Sequence, residues 1–248
     1  MNGFKERTVI AGFRKPTQAI RDNIHRLFGM PLAWYDNIME VLLVNNHGLL
    51  HPSTMLRNQE NIRQGRSMFF YRECMTPAVC KEMNDADKEL RAIGKALGVE
   101  QKESLAQTLN GDYGTEYTDL RTSVDRIQAL NKRHSLPKTM RFRYITQDIQ
   151  VLVVLWSSLG RALDVKTPVL DSWIEEASQV NGTDYRRSGR TLERFGLVSN
   201  ASCSDIRATF GIPNDLTASD RRKIHGVPVR SPMDMHQAMH SLPAIRIR

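Results

Sequence analysis

Glycine is present in this chain, but not where a nucleotide site would need it. No two of the 15 glycines are separated by a single residue. The dinucleotide fingerprint G-x-G-x-x-G is therefore missing, and so is the phosphate loop G-x-x-x-x-G-K-[ST]. Without either, no recognisable cradle seats a pyrophosphate on a helix N-terminus. Cysteine is scarce: Cys74, Cys80 and Cys203 are an odd number without metal-type spacing, and they read as reduced thiols of a cytoplasmic protein. Long apolar runs are missing too. The longest, Ile149 to Leu155 and on to Trp156, is interrupted by Gln150 and is far too short to cross a bilayer. The first residues contain no apolar secretory stretch. Aromatic residues make up only 7%, and no RNA- or DNA-binding signature occurs.

What is present is ordinary for a globular protein: 248 residues, 40% hydrophobic and 25% charged. The formal net charge is +8, with acidic and basic residues interspersed, as in Asp85-Ala86-Asp87-Lys88-Glu89. The densest basic segments, Arg186-Arg187 to Arg190 and Arg221-Arg222-Lys223, lie far apart in sequence. Small anions, meaning carboxylates and dinucleotide phosphates, account for such a surface as well as nucleic acid does. Nucleic acid and membrane are set aside as partners.

Thr8 to Phe13 is the one segment that reads as a strand. Nearly everything after it has helical spacing. The pattern predicts helices over Pro16–Phe28, Asn37–Leu50, Pro77–Leu97, Thr118–Leu130, Gln147–Leu163, Thr167–Val180 and Asp184–Phe195. Shorter ones follow at Ser204–Phe210, Ala218–Ile224 and Pro232–Met239. Thr76-Pro77 and Thr167-Pro168 are cap-then-proline starts, and Gly98, Gly182 and Gly196 are stops. Gln147–Leu163 is apolar nearly all round for two turns and should be buried. The chain reads as an all-α, multi-helix domain preceded by a short strand–helix remnant. A lone strand should fray or find a partner in another copy.

Two stretches invite chemistry. In Asn45-Asn46-His47-Gly48-Leu49-Leu50-His51-Pro52, two histidines four apart suggest a metal site. Gly48 stands where a zinc protease would carry its glutamate, and Pro52 pushes His51 out of helical geometry. His51 then reads either as a proton-exchanging group at a helix end or as a satisfied polar residue there. In Arg143-Tyr144-Ile145-Thr146-Gln147-Asp148, Asp148 suits the N-terminus of the buried helix, where capping explains it as well as chemistry does. Arg143 suits a bidentate grip on a carboxylate, or a surface ion pair.

Taken in order, these pieces resemble the octopine/nopaline, or opine, dehydrogenase family over roughly residues 34 to 197. The matching elements are Asn45 through His51-Pro52 with Ser53-Thr54-Met55-Leu56, then Phe69-Phe70-Tyr71 to Thr76-Pro77. Asp87 to Leu90 through Ala96-Leu97-Gly98, Tyr113-Gly114 and Arg143-Tyr144 to Asp148 follow. Thr167-Pro168, Gly182 to Asp184, Gly189-Arg190-Thr191-Leu192 and Phe195-Gly196-Leu197 complete the set. Opine metallophore dehydrogenases share a similar layout. The resemblance implies a helical C-terminal domain behind a Rossmann domain, joining an amino acid to a 2-oxo acid such as pyruvate with NADH or NADPH. It implies His51 as general acid–base paired with Asp148, Arg143 binding substrate carboxylate, and Asn45 at the substrate. No metal is implied. The family tends to carry Glu before this aspartate and Pro two residues after it; here Gln147 and Gln150 stand there.

On this reading residues 1–33 are the end of a nucleotide-binding domain and 34–248 the helical substrate-binding and catalytic domain. The dinucleotide is not bound by this chain alone, and a separate Rossmann-domain protein or a homo-oligomer is expected. The alternative is a non-catalytic helical domain of the same descent that binds a ligand or a protein. A hydroxyacid or ketopantoate type of dehydrogenase fits poorly: it needs Lys four residues before Asn, where this chain has Val41 before Asn45 and Leu42 before Asn46.

Overall fold

Thr8–Ile10 (β1) does not stand alone. It pairs in parallel with Leu32–Trp34 (β2), Thr8 opposite Leu32 and Ile10 opposite Trp34. The computed structural model describes residues 5–99, 101–132 and 135–213, and Lys5 to Ile212 belong to one compact unit. The crossover between the strands is α1 (Gln18–Phe28), capped by the Thr17 side chain and ended by Gly29 in the left-handed conformation. A parallel pair needs such a crossover. The second strand escapes a sequence reading because it is three residues long, follows Pro31 and shows no alternation. Its pairing corrects the expectation of a single strand.

The N-terminal segment is also tied to the helical body. The Glu6 N–H donates to the Asp112 carbonyl, Lys5 pairs with Asp112, and Arg7 pairs with Glu103. Residues 5–10 are thereby anchored, as a lone strand would not be. Yet no residue of α1 is buried, and Ile20, Leu27 and Phe28 remain exposed.

The remainder is helical. The helix predicted over Asn37–Leu50 is two, α2 (Ile38–Leu43) and α3 (His47–Arg57). Asn37 caps α2 through its side chain, and between the helices the Asn45 side chain accepts the His47 N–H. Such local asparagine bonds compete with a continuous helical ladder. After α4 (Gln59–Arg63) comes α5 (Pro77–Ala96), capped by Thr76 as the sequence predicts. α6 (Leu105–Tyr113) is a helix the sequence reading does not include, and it opens on a capping box of Ser104 with Gln107. The helix predicted over Thr118–Leu130 is divided into α7 (Leu120–Arg126) and α8 (Gln128–Asn131).

α9 (Arg143–Thr146) leads into a π-helical turn, Ile149–Val153, and α10 (Val154–Ala162). α11 (Pro168–Asn181) ends at left-handed Gly182. The helix predicted over Asp184–Phe195 is instead α12 (Tyr185–Ser188) and a 3₁₀ turn, Leu192–Phe195. α13 is Cys203–Thr209. The segments Ala218–Ile224 and Pro232–Met239 lie outside the described residues. α3 packs against α5, α9 and α11, and α10 against α5 and α11. Trp156 of α10 and Trp173 of α11 are fully buried in this core.

Candidate active site

His51 lies inside α3, not at its end. Pro52 follows it within the same helix, which corrects the expectation that the helix stops before His51. α3 forgoes the one hydrogen bond that Pro52 cannot donate to Gly48. Packing outweighs that loss, since every residue from Gly48 to Leu56 is buried. Gly48 is dictated by the same packing. A Cβ there would sit 2.6 Å from Cζ3 of Trp156 and 3.1 Å from Cβ of Leu152. The indole therefore lies directly against the α3 backbone, one turn ahead of His51.

Asp148 closes the link between α9 and the π-helical turn, and its Oδ2 is 2.7 Å from Nδ1 of His51. The π turn has a local cause. In an α-helix the Val154 N–H would bond to the Gln150 carbonyl; here it bonds to Ile149. The Gln150 carbonyl instead accepts the Arg190 N–H, and the Gln150 side chain donates to the Ser188 carbonyl. Gly189 makes this docking feasible, because a Cβ there would meet Val154 Cγ1 at 2.8 Å. The predicted Asp184–Phe195 helix is interrupted at this point for that reason. Gln150, where the family tends to have Pro, thus anchors the wall beside Asp148. π-helical turns often accompany functional sites.

The His51 ring is held on its faces as well as at Nδ1. It stacks on Tyr144 at 3.7 Å and 17° and on His47 at 5.0 Å and 6°, and meets Phe70 edge-on at 5.8 Å. With Asp148 accepting at Nδ1, the neutral ring carries its proton there, and Nε2 is the atom turned away from the carboxylate. His51 is 6% exposed.

Both residues line a cavity of about 340 Å³, together with Asn45, His47, Tyr71, Tyr113, Arg143, Tyr144, Gln147, Val151 and Leu152. Arg143 is exposed and lies over the Tyr144 ring, 5.6 Å from its centroid. It makes no ion pair among the described residues, and its side chain bonds to the Tyr144 phenol, so an incoming anion would meet a guanidinium that no carboxylate neutralises. Burial raises the phenols of Tyr71, Tyr113 and Tyr144 above the usual range, and Arg143 partly offsets this at Tyr71 and Tyr144. The three rings therefore serve as neutral hydrogen-bonding walls. A larger groove of about 440 Å³ runs along α11 and the turn after it, but Arg186 there is already paired with Asp171 and Glu175. The cavity at His51 is the one with chemistry to offer.

The structure thus brings together all four residues singled out in the sequence, His51, Asp148, Arg143 and Asn45. It adds Tyr71, Tyr113 and Tyr144, and places in the same cavity His47, which the sequence offered only as half of a possible metal pair. Their signal was weak: each lies within a family-like stretch, but only contact with the cavity shows a use. His47 and His51 do not converge on a point, because parallel stacked rings present faces to each other. Among the described residues no group of three His, Cys, Asp or Glu is placed to hold a metal. No described helix is long and apolar enough to cross a membrane.

The helical domain thus holds a partly buried His–Asp pair and an arginine without an ion pair among the described residues on one cavity. The comparisons give the family. A model described as NAD/NADP octopine/nopaline dehydrogenase, alpha-helical domain, matches residues 34–181, more than half of the chain, and the chain belongs to that family. It is 26% identical over 201 residues to Protein ocs of Agrobacterium tumefaciens (strain Ach5), covering 80% of this chain and 55% of that protein. It is 30% identical over 173 residues to an opine dehydrogenase of Arthrobacter sp. (strain 1C), covering 70% and 47%. Its fold matches octopine dehydrogenase solved with NADH and L-arginine, with a TM-score of 0.66 and 16% identity over 83% of this chain and 59% of the other. The chain spans about half the length of the curated relatives it matches.

Proposed function

We propose that this chain is the substrate-binding, proton-handling part of an opine-type dehydrogenase, which joins an amino acid to a 2-oxo acid such as pyruvate by reductive condensation. The observation that carries the reading is the 2.7 Å contact between His51 and Asp148 on a cavity shared with Arg143, which has no ion pair among the described residues. Arg143 grips a substrate carboxylate and so orients the carbon to be reduced. Asp148 fixes the His51 tautomer and stabilises its charged form. His51, through Nε2, exchanges the proton that condensation and reduction require. Asn45 donates its amide to the substrate at the rim.

Reduction takes a hydride from NADH or NADPH, and the described residues do not fit a dinucleotide. The turn between β1 and α1 holds a single glycine, Gly12, and a Cβ there would meet the Arg14 carbonyl at 2.7 Å. The turn folds on its own backbone, and Thr17 already caps α1. A Rossmann-type domain, in the same polypeptide or a separate one, would bind the dinucleotide in continuity with the β1–α1–β2 unit.

The test joins the chain to the nucleotide-binding domain of the Arthrobacter opine dehydrogenase and follows NADH oxidation. Oxidation that requires both an amino acid and a 2-oxo acid, and that fails in His51→Ala, is expected. A folded, NADH-binding fusion that turns over nothing, or equally well without His51, would leave a non-catalytic binding domain as the reading.

A further inference from the structure

His47 is the second imidazole of the cavity, and nothing above gives it a task. We propose that His47 is a positioning residue for the proton on His51: the two stacked rings carry one positive charge between them, Asp148 holds it on His51, and His47 stays neutral at the cavity wall. The catalytic meaning of this rests on the proposed function; the charge distribution itself does not.

The geometry is asymmetric in a way that decides the matter. The rings lie one helical turn apart on α3, 5.0 Å between centroids and 6° from parallel. Two positive charges so close in a partly desolvated cleft repel each other. Among the described residues a carboxylate touches His51 and not His47, Asp148 Oδ2 lying 2.7 Å from the His51 ring. His47 is the first residue of α3, where the positive end of the helix dipole opposes a cation.

The charged and titratable groups around the pair act on His47 in both senses, and Asp148, which touches His51 and not His47, favours a charge on His47 less than burial and His51 oppose it. From the N-terminal segment, Lys5 adds to the repulsion at His47. From α6, Asp112 favours a charged His47, but Lys5 and Asn46 already occupy its Oδ2. Arg143 and Tyr144 of α9, Tyr113 of α6 and Tyr71 complete the wall, and the phenols are neutral. The surrounding protein, then His51, push the His47 pKa down to about 4. His47 keeps a solvent-exposed edge, which moderates that depression. A neutral His47 leaves one acid at the site, with its proton in one place.

The test is a titration of the histidine ring nitrogens by NMR on the full chain, with resonances assigned through His47→Phe and His51→Ala. On acidification from about pH 8 to pH 5, the range in which imidazoles charge, His51 should take up a proton while His47 keeps the shifts of a neutral ring. His51→Phe keeps a stacked ring but removes the neighbouring charge, so His47 should take up its proton roughly 0.5–1 pH unit higher, read on a titration extended to about pH 4. A packing role alone would leave that midpoint still. Both rings charging together near the ordinary histidine range, or a His47 midpoint unmoved in His51→Phe, would overturn the proposal. Where the phenylalanine variant does not fold, the two rings of the unaltered chain decide alone. The readout needs no turnover, so failure of the proposed reaction and failure of the shared charge are separate outcomes.

Discussion

In α3 every residue from Gly48 to Leu56 is buried, whereas in α1 none is. Around α1, Phe13, Ile20, Leu27 and Phe28 are 63%, 48%, 81% and 56% exposed. The helical body therefore holds its cavity with its own core. The β1–α1–β2 unit is held to it by polar ties from Lys5, Glu6 and Arg7. Parallel sheets are generally covered on both faces, and two strands alone are marginal. The contrast separates a half that buries its own apolar residues around the cavity from a half that leaves apolar residues exposed. The proposed nucleotide-binding domain would meet the chain there.

The contrast can be broken or sharpened by mutation. In the fused enzyme, His51→Ala should lower kcat by roughly 10²–10⁴-fold, the usual worth of a general acid–base. Arg143→Ala should act mainly on KM, since a carboxylate grip is felt in ground and transition states alike. Steady-state kinetics on both variants checks this, and a His51→Ala enzyme with unchanged kcat would detach the cavity from the chemistry.

Stability should divide along the same line. Trp156→Ala removes a fully buried indole and should cost about 3–5 kcal/mol. Leu27→Ala, on the open face of α1, should stay within about 0.5 kcal/mol. Urea unfolding of the two variants compares them directly, and similar losses would erase the distinction. Gly48→Ala should cost an intermediate amount, about 1–3 kcal/mol, because its Cβ must displace the Trp156 ring.

The smallest effect concerns acid. The folded-state pKa of His47 is depressed, so the folded chain resists its protonation and the unfolded chain does not. Its share of stability is present above the unfolded value of 6.5 and is lost as pH falls from there towards about 4. His47→Phe should flatten the decline of urea midpoints across that window. An unchanged slope would mean that the exposed edge of the ring is fully screened.

Much of this was legible in the residues. The long helices announced themselves through caps, as at Thr76-Pro77, and through spacing. The His51, Asp148 and Arg143 set came from ordered resemblance more than from pattern. What could not be read were features fixed by tertiary contact. Pro52 sits in mid-helix because burial overrides its local preference. The predicted Asp184–Phe195 helix gives way because Arg190 takes a carbonyl from the neighbouring helix. β2 is too short to carry a period, and His47 gains meaning only once its ring is seen against His51.

The most direct test of the central claim is a titration of the full chain with pyruvate, following the His51 ring and the Arg143 guanidinium by NMR in the unaltered protein and in Arg143→Ala. Saturable shifts at both groups in the unaltered protein, with the His51 shift lost in the variant, are expected if the cavity is a carboxylate site with its acid beside it. No shift at either group, or the same His51 shift without Arg143, would contradict the account.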